Sequence, residues 1–247
     1  MNRYCLVIPV YNHHHKLERL LNALSVYQLT TFLIDDGSDE PSAQLIADVA
    51  EKFQHIQLHR HKHNQGKGAA VMTGMQLAQQ HGFSHAIQID ADFQHDPTDI
   101  PTFIQQAEQR PEALICGIPV YDESVNKLRF YARYLTHVWV WIHTWSLDIK
   151  DSMCGYRLYP VATFMNQMQR KKPSRHMNFD TEIIVRLHWQ GIDIVNIPTE
   201  VRYHEDVPSN FRPWADNWAI TRMHTLLFFG MLIRMPKLIK RTWNQNR

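Results

Sequence analysis

Two aspartates one residue apart, Asp90 and Asp92, flank Ala91 and are followed by Gln94 and His95. Carboxylates at this spacing can share a hard cation, and Mg2+ or Mn2+ prefers oxygen ligands. Such a cation would bridge two phosphates and offset charge on a departing diphosphate. Asp90 and Asp92 are therefore candidate metal ligands, and Gln94 and His95 lie close enough to supply another. Taken alone, Asp-x-Asp is equally compatible with a solvated acidic turn. A second acidic stretch, Asp35-Asp36-Gly37-Ser38, can accept hydrogen bonds from a base N–H or a ribose hydroxyl. The same residues can cap the helix that follows, and both roles can hold at once. In Asn64-Gln65-Gly66-Lys67-Gly68-Ala69-Ala70, glycines open a helix whose N-terminus would favour an anion. The Gly-x-x-x-x-Gly-Lys-Ser/Thr spacing of a P-loop is missing, which disfavours an ATPase.

These stretches need elements to hold them. Apolar β-rich runs at 4–9, 31–34, 56–59 and 86–89 alternate with helical spacing at 16–25, 42–53 and 68–81. Such alternation implies parallel strands with crossover helices, hence an α/β fold. Ligands of such sheets gather at the carboxyl ends of the strands. Pro9-Val10-Tyr11-Asn12, Asp35-Asp36 and Asp90-Ala91-Asp92 each follow a strand, so all three are expected on one edge of one sheet. Further on, 113–116 reads as a strand and 127–147 as a long apolar helix. Residues 180–190 read as a helix ended by Gly191, and 192–197 as a strand stopped by Pro198. A last helix is expected over 214–234, then Pro236 and a basic tail.

The 247 residues suit one large α/β domain, and 44% hydrophobic with 20% charged residues is ordinary globular composition. A formal net charge of +2 argues against a nucleic-acid partner that relies on a broad basic surface. Three distant cysteines, Cys5, Cys116 and Cys154, make no disulfide framework or zinc knuckle and fit a reducing, cytoplasmic setting. Cys116 and Cys154 read as buried small residues rather than nucleophiles. The first apolar run is too short for a signal peptide, and none reaches the roughly 18 residues of a spanning helix. His13-His14-His15 reads as exposed polar residues rather than a metal site.

Together, Val7-Ile8-Pro9-Val10-Tyr11-Asn12, Ile34-Asp35-Asp36-Gly37-Ser38, the Asn64–Ala70 stretch and Asp90-Ala91-Asp92-Phe93-Gln94-His95-Asp96-Pro97 resemble the family 2 glycosyltransferases. Within that family the pattern is similar to the dolichyl and polyprenyl phosphate mannose synthase group. The resemblance implies a GT-A fold with a Rossmann-like, mostly parallel central sheet, and a UDP- or GDP-linked sugar donor. It implies that Pro9, Tyr11 and Asp36 line the nucleotide and that Asp90 and Ala91 meet the ribose and diphosphate. Asp92 and Gln94 would hold Mg2+ or Mn2+. Asn12, Lys67 and Arg157 fall inside the matching stretches and join the nucleotide-sugar set. Asp151-Ser152-Met153-Cys154-Gly155-Tyr156-Arg157-Leu158 resembles the family's acceptor-side motif. Asn178-Phe179-Asp180-Thr181-Glu182 resembles the segment with the catalytic acid cluster. A hydroxyl acceptor needs a base for its proton; Asp180 and Glu182 are the candidates, with Asp151 third. One of these residues could instead cap the helix that starts near Asp180.

The chain departs from the mannose synthase pattern at His13, where an acidic residue is usual. It departs again at His204 and Asn210, where an Arg and a Lys grip the donor phosphates, although Arg202 and Arg212 lie close by. The missing basic pair favours a hydroxyl acceptor over a polyprenyl phosphate. The last segment joins Trp214, Trp218, Leu226, Phe229 and Ile233 to Arg234, Lys237, Lys240 and Arg241. That composition suits a peripheral contact with the inner face of a membrane, and equally a helix packed on its own domain. The expectation is one domain: a nucleotide-sugar half at 1–118, an acceptor half at 119–212, and an amphipathic helix with a tail at 213–247. It would be an inverting, metal-dependent glycosyltransferase with a hydroxyl acceptor that could be lipid-linked. The rivals are a polyprenyl-phosphate glycosyltransferase, a sugar nucleotidyltransferase and a catalytically idle nucleotide-sugar-binding partner.

Overall fold

The computed structural model describes residues 2–120, 127–201 and 213–245. Strands β1 (Tyr4–Val10), β2 (Thr31–Asp35), β3 (Ile56–Arg60) and β4 (His85–Gln88) alternate with helices α1 (Leu17–Ser25), α2 (Glu40–Glu51) and α3 (Lys67–Gln80). After a 3-10 turn come α4 (Ile100–Gln109), β5 (Leu114–Val120), α5 (Lys127–Thr144), β6 (Arg157–Pro160) and α6 (Val161–Arg170). The chain then forms α7 (Phe179–Gln190), β7 (Ile194–Glu200) and α8 (Pro213–Gln245). One seven-stranded sheet has the order β3-β2-β1-β4-β6-β5-β7. Every pairing is parallel except those of β6, which runs antiparallel to β4 and to β5. The architecture is the expected α/β one with a mostly parallel central sheet.

Alternation along β1 explains the two layers. Cys5 and Val7 face α3 and the cluster built with α6, α7 and α8. Leu6, Ile8 and Val10 face α1, α2 and α4. A parallel strand buried on both faces reads as one apolar run, as β1 does. After β1 the chain moves outward through β2 and β3, then returns to β4 on the other side. The carboxyl ends of β1 and β4 therefore flank the point where strand order reverses, the usual place for a ligand crevice in such sheets.

Three expectations about elements need correction. α4, β6 and α6 were not foreseen. β7 does not stop at Pro198 but runs on to Glu200, paired in register with β5. It is the last strand of the sheet, so the missing proline N–H costs no ladder bond on its free edge. α8 does not end before Pro236 but continues to Gln245. A proline inside a helix costs about 3 kcal/mol, and anchors beyond it oppose that loss. Leu238 is buried, Arg241 donates to the carbonyl of His188 at 2.7 Å, and Thr242 donates to that of Trp145 at 2.8 Å.

Candidate active site

β4 delivers the chain to Asp90 at the carboxyl edge. Beyond Ala91, Phe93 takes a left-handed φ of +57°, uncommon for a bulky residue and frequent where a turn must re-aim side chains. The Gln94 N–H donates to Asp92 Oδ1 at 3.1 Å, which leaves the other Asp92 oxygen for a ligand. Asp90 Oδ2 takes the Lys67 ammonium at 2.8 Å. Asp90 Oδ1 is buried and has no partner among the described residues. Asp90 can lie here because Gly155 stands opposite: a Cβ at that position would collide with its carboxylate.

The electrostatics of the pair follow from burial and neighbours. Burial works against charge on Asp90, but Lys67, then His95, outweigh it and hold the carboxyl below its ordinary range. Burial and the adjacent Asp90 push Asp92 up. His95 is buried, and desolvation holds its pKa below the ordinary value despite Asp90 and Asp92. Its Nδ1 has no partner among the described residues. Close carboxylates with an orphaned oxygen fit a hard divalent cation. Among the described residues no three His, Cys, Asp or Glu side chains form a metal-holding group. A Mg2+-type ion does not need one, because it is commonly held by one or two carboxylates plus substrate phosphates.

Lys67 links the two halves of the site. It is the first residue of α3, and its Nζ lies 2.8 Å from Asp90 Oδ2 and 2.8 Å from Asp180 Oδ2. Burial alone would lower its pKa, but Asp180 and Asp90 reverse the effect and raise it. Gln88 Nε2 donates to Asp180 Oδ1 at 3.0 Å. The flanking glycines serve a different partner from the one expected. A Cβ on Gly66 would strike His176 and the Arg175 carbonyl, and one on Gly68 would strike Ser174 and Phe179. The close backbone approach is thus to segment 174–179, and it brings Asp180 of α7 against Lys67.

The other anticipated residues fall into two groups. Tyr11 and Asn12 sit half-buried at the end of β1, and Pro9 is buried within it. Asn12 ties this loop to the next: its N–H donates to Ser38 Oγ at 2.9 Å, and its Oδ1 accepts from the Asp39 N–H at 3.0 Å. Gln94 and Ala91 share the Asp90–Asp92 turn. Asp36, by contrast, is committed to the protein. Its carboxylate takes the N–H groups of Gln65 and Gly66 at 3.0 and 2.7 Å and lies 2.7 Å from His61 Nδ1. It anchors the loop before Lys67.

Three further candidates are engaged by protein partners. Glu182 Oε1 accepts from Arg186 Nε at 2.7 Å, and Oε2 accepts from the Ser174 N–H at 2.8 Å and from its hydroxyl. Asp151 accepts two parallel bonds from Arg133, at 2.7 and 2.8 Å, and two more from the N–H groups of Met153 and Cys154. Against the pull of burial, Arg133 holds Asp151 below the ordinary range. Both carboxylates are saturated, so neither is a free base. Arg157 is fully buried and donates to the carbonyls of Asp180 and Ser152 at 2.6 and 2.7 Å. It supports Asp180 from behind. Arg202, His204, Asn210 and Arg212 lie outside the described residues.

Sequence reasoning missed Gln88, Gly155 and Tyr159. Gln88 opposes Arg157 in the β4–β6 register, and Tyr159 donates to Gln88 Oε1 at 3.3 Å. The available signal was a polar residue inside each of two strand-like apolar runs. Buried polar groups of this kind are retained when hydrogen-bonded to one another.

A family model described as glycosyl transferase family 2 matches residues 5–177. A Methanocaldococcus jannaschii protein of uncharacterised function is 27% identical over 82% of this chain and 90% of its own length. The dolichyl-phosphate beta-glucosyltransferase of Dictyostelium discoideum is 26% identical over 94% of this chain and 76% of its own. Among solved structures, glucosyl-3-phosphoglycerate synthase from Mycobacterium tuberculosis, in complex with Mn2+ and UDP-glucose, superposes with a TM-score of 0.66. That match covers 93% of this chain and 79% of the other at 12% identity, a likeness of fold. With the family model spanning most of the sheet and the whole Asp90–Asp92 turn, the chain belongs to glycosyl transferase family 2 and is a glycosyltransferase.

Proposed function

We propose that the protein transfers a sugar from a nucleoside diphosphate to a phosphate-headed lipid acceptor, in one displacement that inverts the anomeric centre. The observation that carries this reading is the state of the acidic residues. Asp180 is paired with Lys67, Glu182 with Arg186, and Asp151 with Arg133. With Lys67 against Asp180, none stands ready to take a proton from an acceptor hydroxyl, and Glu182 and Asp151 have partners that do not involve Lys67. A phosphate monoester loses its second proton near pH 6, so it arrives as an ionised nucleophile and needs no base. This replaces the hydroxyl acceptor expected from the sequence. The name of the Dictyostelium relative, with a dolichyl phosphate in it, supports the same choice.

Asp92 and Asp90, with Gln94 in the same turn, would hold the divalent cation, whose chemistry is to neutralise charge on the departing diphosphate. The Mn2+ and UDP-glucose in the Mycobacterium structure support this for the fold. Lys67 supplies a second positive charge on the same side, and the loop held by Asp36 fixes its backbone. Tyr11 and Asn12, across the crevice, flank the nucleotide.

The lipid acceptor requires approach to a membrane surface. Along α8, Trp214, Trp218, Leu226, Phe229 and Ile233 are exposed at three- and four-residue spacing, so they share a face. Arg222, Lys237 and Lys240 are exposed on the same helix. An apolar stripe among cations suits an anionic bilayer interface. No helix of the described residues is long and apolar enough to cross a membrane.

The test is release of nucleoside diphosphate from a panel of UDP- and GDP-sugars with Mn2+ or Mg2+, with and without chelator. Chelator-sensitive release from one donor, reduced at least a hundredfold in Asp92→Asn, is expected. Release that ignores the chelator and the substitution would refute the metal assignment.

A further inference from the structure

Lys67 occupies a position that the reaction must clear. Its ammonium carries three donors, and two are spent on Asp90 Oδ2 and Asp180 Oδ2 at 2.8 Å each. Lys67 is half-buried and Asp180 buried, with side-chain exposures of 16% and 5%. Asp180 cannot follow the lysine, since Gln88 holds its side chain and Arg157 holds its carbonyl. Nor can the backbone of Lys67 shift readily, because the neighbouring glycines are packed against Ser174, Arg175 and Phe179. The four-carbon stem of the lysine is the one free hinge among these parts.

A divalent cation approaching Asp90 would meet this ammonium at van der Waals range. Like charges that close repel strongly where water is scarce. A diphosphate changes the balance, because it brings negative charge for both cations. We propose that Lys67 is a charge-exchange latch: it neutralises Asp90 while the site holds no diphosphate, and passes to the diphosphate when donor and metal enter together. Asp180 is then the resting station for the lysine and keeps the hydrogen bond from Gln88 when the lysine leaves. The inference rests on reading this crevice as a nucleotide-sugar site. Its consequence is that metal alone binds weakly and that metal and diphosphate bind as a coupled pair.

Calorimetric titration of the full chain separates the possibilities. The titrants are Mn2+ alone, then UDP and GDP, each with and without Mn2+. In Lys67→Met, Mn2+ alone should bind at least tenfold more tightly than in the unsubstituted protein, while the nucleoside diphosphate binds at least tenfold more weakly. In Asp180→Asn the lysine loses its resting partner, and the nucleoside diphosphate should bind at least threefold more tightly. If Lys67 only touches phosphate, Lys67→Met weakens the nucleotide and leaves Mn2+ unchanged, and the latch is refuted. Should Lys67→Met fail to fold by circular dichroism, Asp180→Asn decides, and unchanged or weaker nucleotide binding overturns the proposal. Should the unsubstituted protein bind neither UDP nor GDP with Mn2+, the donor-site reading falls and the latch with it. Nucleotide binding without the predicted response to substitution removes the latch alone.

Discussion

At the scale of single residues, the site is built from charges that answer one another. Lys67 faces Asp90 and Asp180, Arg186 faces Glu182, and Arg133 faces Asp151. Gly155→Ala tests how closely this is fitted. Its Cβ would displace the Asp90 carboxylate, and misplacement by about 1 Å can cost around a hundredfold in rate. The expected result is such a loss in kcat with the thermal midpoint nearly unchanged; full activity would show that Asp90 is free to move. Glu182→Gln separates structure from catalysis in the opposite direction. It should lower stability by about 1–3 kcal/mol, because Arg186 loses its charged partner in a buried place. Activity per folded molecule should stay within a few fold, whereas a loss of several hundredfold with intact folding would restore Glu182 as a base. The residue types at the Asp90–Asp92 turn were legible in the sequence, since Asp-x-Asp follows a strand alongside two other polar motifs. Their partners were not, because Arg133, Gly155 and Arg186 reach the site only through tertiary packing.

At the scale of elements, the first four strands and three helices were readable within a residue or two. β1, β2 and β4 are buried runs, and the helices between the strands have regular period. The region from α4 to α6 was not. β6 is four residues long and carries Arg157 in its apolar run, and its antiparallel direction breaks the alternation that guided the reading. The junction of α5 and α8 was also hidden. There His143 Nε2 and His224 Nδ1 lie 3.0 Å apart, and burial pushes both imidazoles down to about 4 from 6.5. Below pH 6.5 the unfolded chain takes up protons that the native pair refuses, so the stability from this pair is complete above that pH and is lost as pH falls towards 4. The thermal midpoint should fall over that window. The doubly substituted His143→Phe, His224→Leu protein should show a shallower fall, and identical slopes would contradict the assignment. On α8, Trp214→Ser with Trp218→Ser should reduce sedimentation with anionic phospholipid vesicles several fold and leave donor cleavage intact. Unchanged vesicle binding would remove this face as the membrane contact.

At the scale of the molecule, the sheet reverses its strand order between β1 and β4 and so opens the crevice where the Asp90–Asp92 turn and the Tyr11–Asn12 loop meet. α7 closes one side with Asp180, and α8 leads away with its apolar stripe exposed. Under the proposed function the crevice takes the donor and the α8 face meets the lipid acceptor. The general plan was legible because parallel α/β sheets put their ligands at one edge. The proposed acceptor was not, because it turns on whether three buried carboxylates are free or paired, which depends on tertiary packing. The most direct measurement follows from that point. Purified protein, a labelled nucleotide-sugar donor and Mn2+ would be incubated with a polyprenyl phosphate or with the matching polyprenol, and the lipid product counted. Metal-dependent transfer to the phosphate, with transfer to the alcohol at least a hundredfold slower, is the predicted result. Transfer to the alcohol at a comparable or greater rate would mean that one of Asp180, Glu182 or Asp151 acts as a base after all, and would contradict the account.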